Sequence, residues 1–157
     1  KEWGVLRTDD SYLFEMLVLE SFQAGLSWEC ILNKRENFRR AYDEFDLDRV
    51  CGYDEEKIAE LCSDSSIVRN KASISNARIF RDIVKKQGSF YDYLCKFTDG
   101  EILYECDKTT NEWSDRISAD LKKRGMKFVG SVIIYSFLQA VGVIYSHDSE
   151  CGLYREK

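Results

Sequence analysis

Proline is absent from all 157 residues, histidine occurs once, at His147, and no two cysteines stand in a CxxC spacing. Without proline to stop or kink a helix, helix boundaries must rest on glycine and on Asx or Ser caps. The six cysteines, Cys30, Cys51, Cys62, Cys95, Cys106 and Cys151, are scattered through a chain large enough to bury a core without disulfide staples. They read as reduced thiols of a cytosolic or nuclear protein. A basic excess is also missing. The 23 Lys and Arg against 28 Asp and Glu leave a net charge of −5, which argues against a general nucleic-acid coat and confines any DNA contact to a local patch. No uninterrupted apolar run reaches membrane-spanning length, no export signal opens the chain, and there are no repeats or low-complexity tracts.

What is present is core material. Hydrophobic residues make up 44% and aromatics 13% of the chain, too much for a disordered segment and about right for one globular domain. Apolar residues recur at helical spacing almost throughout. A capping run at Thr8 to Ser11 precedes Leu13, Phe14, Leu17, Val18 and Phe22, which predicts a helix to about Ala24, ended by Gly25. Ser27 caps a second predicted helix with Trp28, Ile31, Leu32, Phe38 and Tyr42 inward. Asp46, Asp54 and Ser89 cap shorter ones, and Asn70 to Lys86 forms a longer one ending at Gly88. Residues 98–112 read as a surface loop and the one hinge. Ser114 caps the next helix, and Phe128 to Val141 makes the last, apolar nearly all round and suited to a central position. The class is all-α.

Four constellations carry chemistry. In Lys122-Lys123-Arg124-Gly125-Met126-Lys127-Phe128-Val129-Gly130, a tight glycine turn joins two helices among clustered cations. The N-terminus of the second helix can hold a phosphate there, although cations are favoured in any last helical turn. Glu20 sits among Leu17, Val18, Leu19 and Phe22. If it faces inward it needs donors or a cationic ligand; if it lies at the helix edge it is merely solvated. In Gln23-Ala24-Gly25-Leu26-Ser27-Trp28 a turn presents a leucine that can wedge between bases and a tryptophan that can stack on an extruded one, or else both pack the core. His147 and Cys151 have the i, i+4 spacing of two zinc ligands on one helix face, but two ligands do not make a site.

Taken with Glu2-Trp3-Gly4-Val5, Lys34-Arg35-Glu36-Asn37, Asn76-Ala77-Arg78 and Tyr135-Ser136-Phe137, these stretches run in order over nearly the whole chain. They resemble the 3-methyladenine DNA glycosylase I family of helix-hairpin-helix repair enzymes. The resemblance implies an all-α bundle and a bacterial, cytoplasmic enzyme that flips 3-methyladenine out of alkylated double-stranded DNA and hydrolyses its N-glycosyl bond. It places Glu20 on the methylated base as the catalytic and recognition acid, with Trp28 and Trp3 as pocket aromatics. It puts Gly25 and Leu26 in the gap left by the flipped nucleotide, and Lys123, Arg124, Gly125, Lys127, Phe128 and Gly130 on the DNA backbone. His147 and Cys151 match half of a structural zinc site. The expected unit is one domain over 1–157, acting as a monomer and lacking the family segment before Lys1 that supplies the other half. The alternative is a non-catalytic helix-hairpin-helix DNA-binding module.

Overall fold

The computed structural model describes residues 3–23, 26–67 and 71–147. The fold is all-α, with a two-stranded sheet as its only strand pairing among these residues. Helix α1 (Asp10–Phe22) starts where the Asp9 carboxylate accepts the Tyr12 N–H at 2.9 Å, and every residue from Leu13 to Phe22 is buried. It is therefore a central helix, enclosed by neighbours on all sides, and it ends two residues before the predicted Ala24.

The predicted helix from Ser27 to Tyr42 is two helices, α2 (Trp28–Asn33) and α3 (Arg35–Ala41), meeting at Lys34. The break turns Leu32, expected inward, out to solvent at 43% exposure, while Phe38 stacks on Phe22 at 5.2 Å between ring centroids. A single straight helix cannot bury both faces at once, and the aromatic stack wins. A 3₁₀ turn (Asp43–Phe45) leads to α4 (Leu47–Cys51) and α5 (Glu55–Ser63), capped by Asp46 and Asp54 as their sequences predict. Helix α6 (Ala72–Gln87) ends at Gly88, whose φ of +95° excludes most side chains, and Ser89 caps α7 (Phe90–Thr98).

Residues 98–112 are not a free hinge. They contain β1 (Leu103–Tyr104), which pairs in parallel with β2 (Ile144–Tyr145), Leu103 opposite Ile144. Glu105 then accepts hydrogen bonds from Tyr135, Asn111 and Lys108. Helix α8 (Glu112–Lys123) is capped by Asn111 rather than Ser114. Ser114 is the third helical residue and returns the bond of a reciprocal capping box, a distinction that periodicity alone does not make. Helix α9 (Ser131–Ala140) begins three residues later than predicted and leaves Val132 54% exposed, so it is central along its other faces only.

Helix α1 packs on α6, α7 and α9, and α9 also packs on α8. Aromatic contacts knit these layers: Phe80 stacks on Phe90 at 4.0 Å, and Phe14 meets both Phe45 and Phe80. The Tyr93 hydroxyl and the Arg124 guanidinium both donate to Asp120, joining α7 to the end of α8. Helix α9 thus touches α8 at the hairpin, α1 along its length and the N-terminal strap at its far end. There Gly4 and Arg7 donate backbone N–H groups to Ala140 and Val141.

Candidate base-binding and nucleic-acid site

Glu20 lies in the last turn of α1 and is 3% exposed. Its Oε2 is buried without a hydrogen-bond partner, and desolvation pushes the carboxyl pKa from 4.5 up to about 8. Of the two edge-or-interior alternatives the structure selects the interior. Five residues earlier on the same helix, Glu15 is nearly as buried, yet it accepts hydrogen bonds from Arg35 and Arg39. One acid has been neutralised by the fold and the other left without a donor. A buried, unpartnered carboxyl costs the fold a few kcal/mol, by order of magnitude, and is the signature of a group that meets its partner in a ligand.

Beyond α1, the Leu26 N–H donates to the Gln23 carbonyl at 2.8 Å. Leu26 stands 40% exposed, not in the core. Gly25 lies outside the described residues. Ser27 accepts the Cys30 N–H and so starts α2 at Trp28, which is half-buried against the core and keeps part of its ring surface outward. Trp3 is 36% exposed on the N-terminal strap and meets the His147 ring edge-on, 5.1 Å between centroids. His147 contacts Tyr145 in the same way at 5.0 Å, and a Cβ on Gly4 would come within 2.6 Å of its Nε2. Trp3 is thus positioned by close packing of strap against ring.

His147 follows β2 and is not part of a helix, so the one-face argument for His147 and Cys151 does not apply to it. Cys151 lies outside the described residues. Among those residues, no group of three or more His, Cys, Asp or Glu side chains is placed to hold a metal ion. Of the predicted zinc pair, His147 alone stands among the described residues.

The hairpin between α8 and α9 has the predicted glycine turn. Gly125 has φ +97°, its N–H donates to Lys122, and the next N–H, of Met126, donates to Leu121. Met126 is buried as an anchor, and Lys127 is exposed. Asn76, buried on α6, holds the Lys127 backbone at both ends: its Nδ2 donates to the carbonyl at 2.8 Å, and its Oδ1 accepts the N–H at 3.0 Å. Ser118 donates to the Val129 carbonyl at 2.7 Å. Between these two fixed points Phe128 is held at φ +58°, strained for a residue with a side chain, and 51% exposed.

Gly130 precedes the first turn of α9, which has no side-chain cap, and nothing lies within 4 Å of where a Gly130 Cβ would be. That open, uncapped helix start can receive an anion on its N–H groups. Lys123 is exposed in the last turn of α8, whereas Arg124 is committed to Asp120 and lies over the Tyr93 ring at 5.4 Å. A small apolar cavity beneath Phe128 is lined on α1 by Phe14, Leu17, Val18, Ser21 and Phe22 and on α6 by Ser73 and Asn76, and Glu20 is not among its lining residues.

Asn76 stands in one of the stretches that carry the family resemblance, but its grip on the Lys127 backbone is not legible there, because the two residues are 51 positions apart. The Glu15 ion pairs are likewise unforeseen, since the partners of Glu15 lie too far along the chain to be paired by pattern.

Fold and site together define an all-α protein in which an uncapped hairpin helix, an exposed leucine turn and a buried, unpartnered acid are arranged around two central helices. Residues 1–155 match the family model described as Methyladenine glycosylase. The chain is 41% identical to DNA-3-methyladenine glycosylase 1 of Escherichia coli K12, over 98% of this chain and 87% of that one. Among solved structures, a 3-methyladenine DNA glycosylase I superposes with a TM-score of 0.91 at 38% identity, covering 99% of this chain and 91% of its own. The Staphylococcus aureus 3-methyladenine DNA glycosylase I, solved as the structural basis of 3-methyladenine recognition, gives 0.92 at 30%, covering 99% and 88%. The chain belongs to the methyladenine glycosylase family.

Proposed function

We propose that the protein excises 3-methyladenine from alkylated double-stranded DNA, leaving an abasic site and free base. The observation that carries this reading is Glu20: a carboxyl buried to 3% exposure with an orphaned oxygen, in a family whose relatives are named for a methylated adenine. Methylation at N3 makes the base cationic. A cation brought against Glu20 supplies the missing partner and favours the carboxylate form, whereas neutral adenine gains far less.

Trp28 and Trp3 add stacking and cation-π attraction to the extruded base, and Leu26 occupies the space it leaves. The hairpin from Lys123 to Gly130 anchors a DNA phosphate on the N–H groups opening α9, with Lys127 adding charge. The cationic base is already a good leaving group. The bond from C1′ to the base nitrogen breaks with its electron pair going to the base, which becomes neutral. A water oxygen bonds C1′, and the water proton passes to solvent. No strong general acid is required, and Glu20 acts chiefly by selecting and holding the charged base.

The protein acts as a monomer on this reading. A structural zinc held in part by His147 and Cys151 belongs to it as a fold element, and metal analysis of the purified protein tests it. The activity itself is tested by chromatography of bases released from dimethylsulfate-treated DNA. Release of 3-methyladenine without 7-methylguanine is expected. Folded protein that binds DNA in a salt-dependent way and releases no base refutes the reading in favour of a non-catalytic binding module.

A further inference from the structure

Helix α2 is poorly anchored by burial. It has six residues, of which Ile31 is the buried one, and it is preceded by the exposed Leu26 and Ser27. Ile31 and the partly buried Trp28 attach it to the core, and so short an apolar contact leaves its direction to be set by further bonds. The feature that closes this part of the chain is polar: Glu15 on α1 accepts Arg35 Nε at 2.7 Å, Arg39 Nε at 2.8 Å and Arg39 Nη2 at 3.3 Å. The side chains of Glu15 and Arg35 are 8% and 13% exposed.

These bonds span 20 and 24 residues, and the excursion they close contains Glu20, Leu26 and Trp28, the residues assigned above to the base and to its vacated space. The two-pronged grip of Arg39 fixes direction as well as distance, because a planar guanidinium meets a carboxylate in a limited set of geometries. It refers α3, and with it the return limb of the turn, to the same helix that carries Glu20. A buried ion cluster is a weak source of stability compared with apolar packing of similar volume, so its use here points to placement.

We propose that Glu15, Arg35 and Arg39 form a positioning cluster that holds the Leu26 turn at a set distance from Glu20, so that filling the gap in the duplex and seating the flipped base occur together. None of the three touches the base in this assignment, and their effect on excision passes through Leu26. The inference rests on the functional reading above.

The test is a double-mutant cycle between Glu15→Gln and Leu26→Ala, read as the single-turnover rate of 3-methyladenine release from duplex DNA. Each rate is normalised to the folded fraction measured by circular dichroism. Glu15→Gln is expected to slow release at least tenfold in the parent and less than twofold in the Leu26→Ala background. Equal effects in both backgrounds, or an unchanged rate per folded molecule, overturn the proposal, because a merely structural acid lowers stability without depending on Leu26. If Glu15→Gln does not fold, Arg39→Lys, which keeps the charge and loses the fork on a partly exposed side chain, enters the same cycle with the same expectations. Parent protein that releases no base overturns the functional reading and this role with it. Parent release with additive mutants overturns the cluster alone.

Discussion

Replacing Glu20 by Gln should make the protein more stable and less selective at once, and the size of the first effect follows from its burial. The carboxyl titrates near 8 in the native state against 4.5 for an unburied glutamate, because it is desolvated with no cation beside it. Between those two values the native state keeps a proton that the unfolded chain has already lost, so wild-type stability falls as pH rises from about 4.5 to about 8 and is level outside that window. At about 1.4 kcal/mol per unit, the loss reaches roughly 3 kcal/mol by pH 7. Glutamine does not titrate. Urea unfolding of both proteins at several pH values from 5 to 8.5 should therefore show the variant gaining on the wild type steadily, with the curves levelling together above pH 8. In the opposite sense, kcat/KM for excision should rise with pH toward 8 in the wild type, as the free enzyme loses the proton that competes with the cationic base, and should be low and flat in the variant. Parallel stability curves would refute the burial argument, and a pH-independent wild-type kcat/KM would refute the charge argument.

Three further outcomes follow from the hairpin and the strap. Asn76→Ala removes both side-chain bonds to the Lys127 backbone, and leaving those groups unpaired is expected to cost about 2–3 kcal/mol in urea unfolding; a loss below about 0.5 would mean water replaces the amide. Lys127→Gln should weaken binding to undamaged duplex and reduce the slope of log affinity against log salt by about 0.9, and an unaltered slope would put the phosphate contact elsewhere. Gly142→Ala places a Cβ 2.2 Å from the Leu6 nitrogen at a φ of +80°. The strap carrying Trp3 must then move, so thermal melting should fall by the equivalent of more than about 1 kcal/mol, with a change in tryptophan fluorescence. Unchanged melting and emission would show that the strap does not depend on this close approach.

Much of the helical framework is written in local chemistry. Asp9, Ser27, Asp46, Asp54 and Ser89 each cap the helix that their sequence position announces, because an Asx or Ser oxygen satisfies an N–H two or three residues away. The hairpin was legible for the same reason, since Gly125 between two helical patterns is a local backbone requirement. Local pattern stops being informative where a contact between distant segments decides the outcome. Helices α2 and α3 share one continuous apolar pattern, and the stack of Phe38 on Phe22, a contact between distant segments, decided where it breaks. Residues 98–112 lack helical period and read as loose, but the partner of β1 lies about forty residues on, beyond the reach of pattern.

The two acids of α1 show the division most directly. The sequence by itself determined that Glu15 and Glu20 stand five residues apart in an apolar helix, that a leucine turn and a tryptophan follow, and that a basic glycine hairpin comes later. Only the tertiary structure decided which acid is satisfied. It brought Arg35 and Arg39 onto Glu15 across 20 and 24 residues and left Glu20 Oε2 without a donor. Caps and turns are decided by groups a few bonds apart. The protonation and partnering of a buried carboxyl are decided by whichever charges the folded chain places within a few ångströms of it, and that placement exists only once the helices have packed.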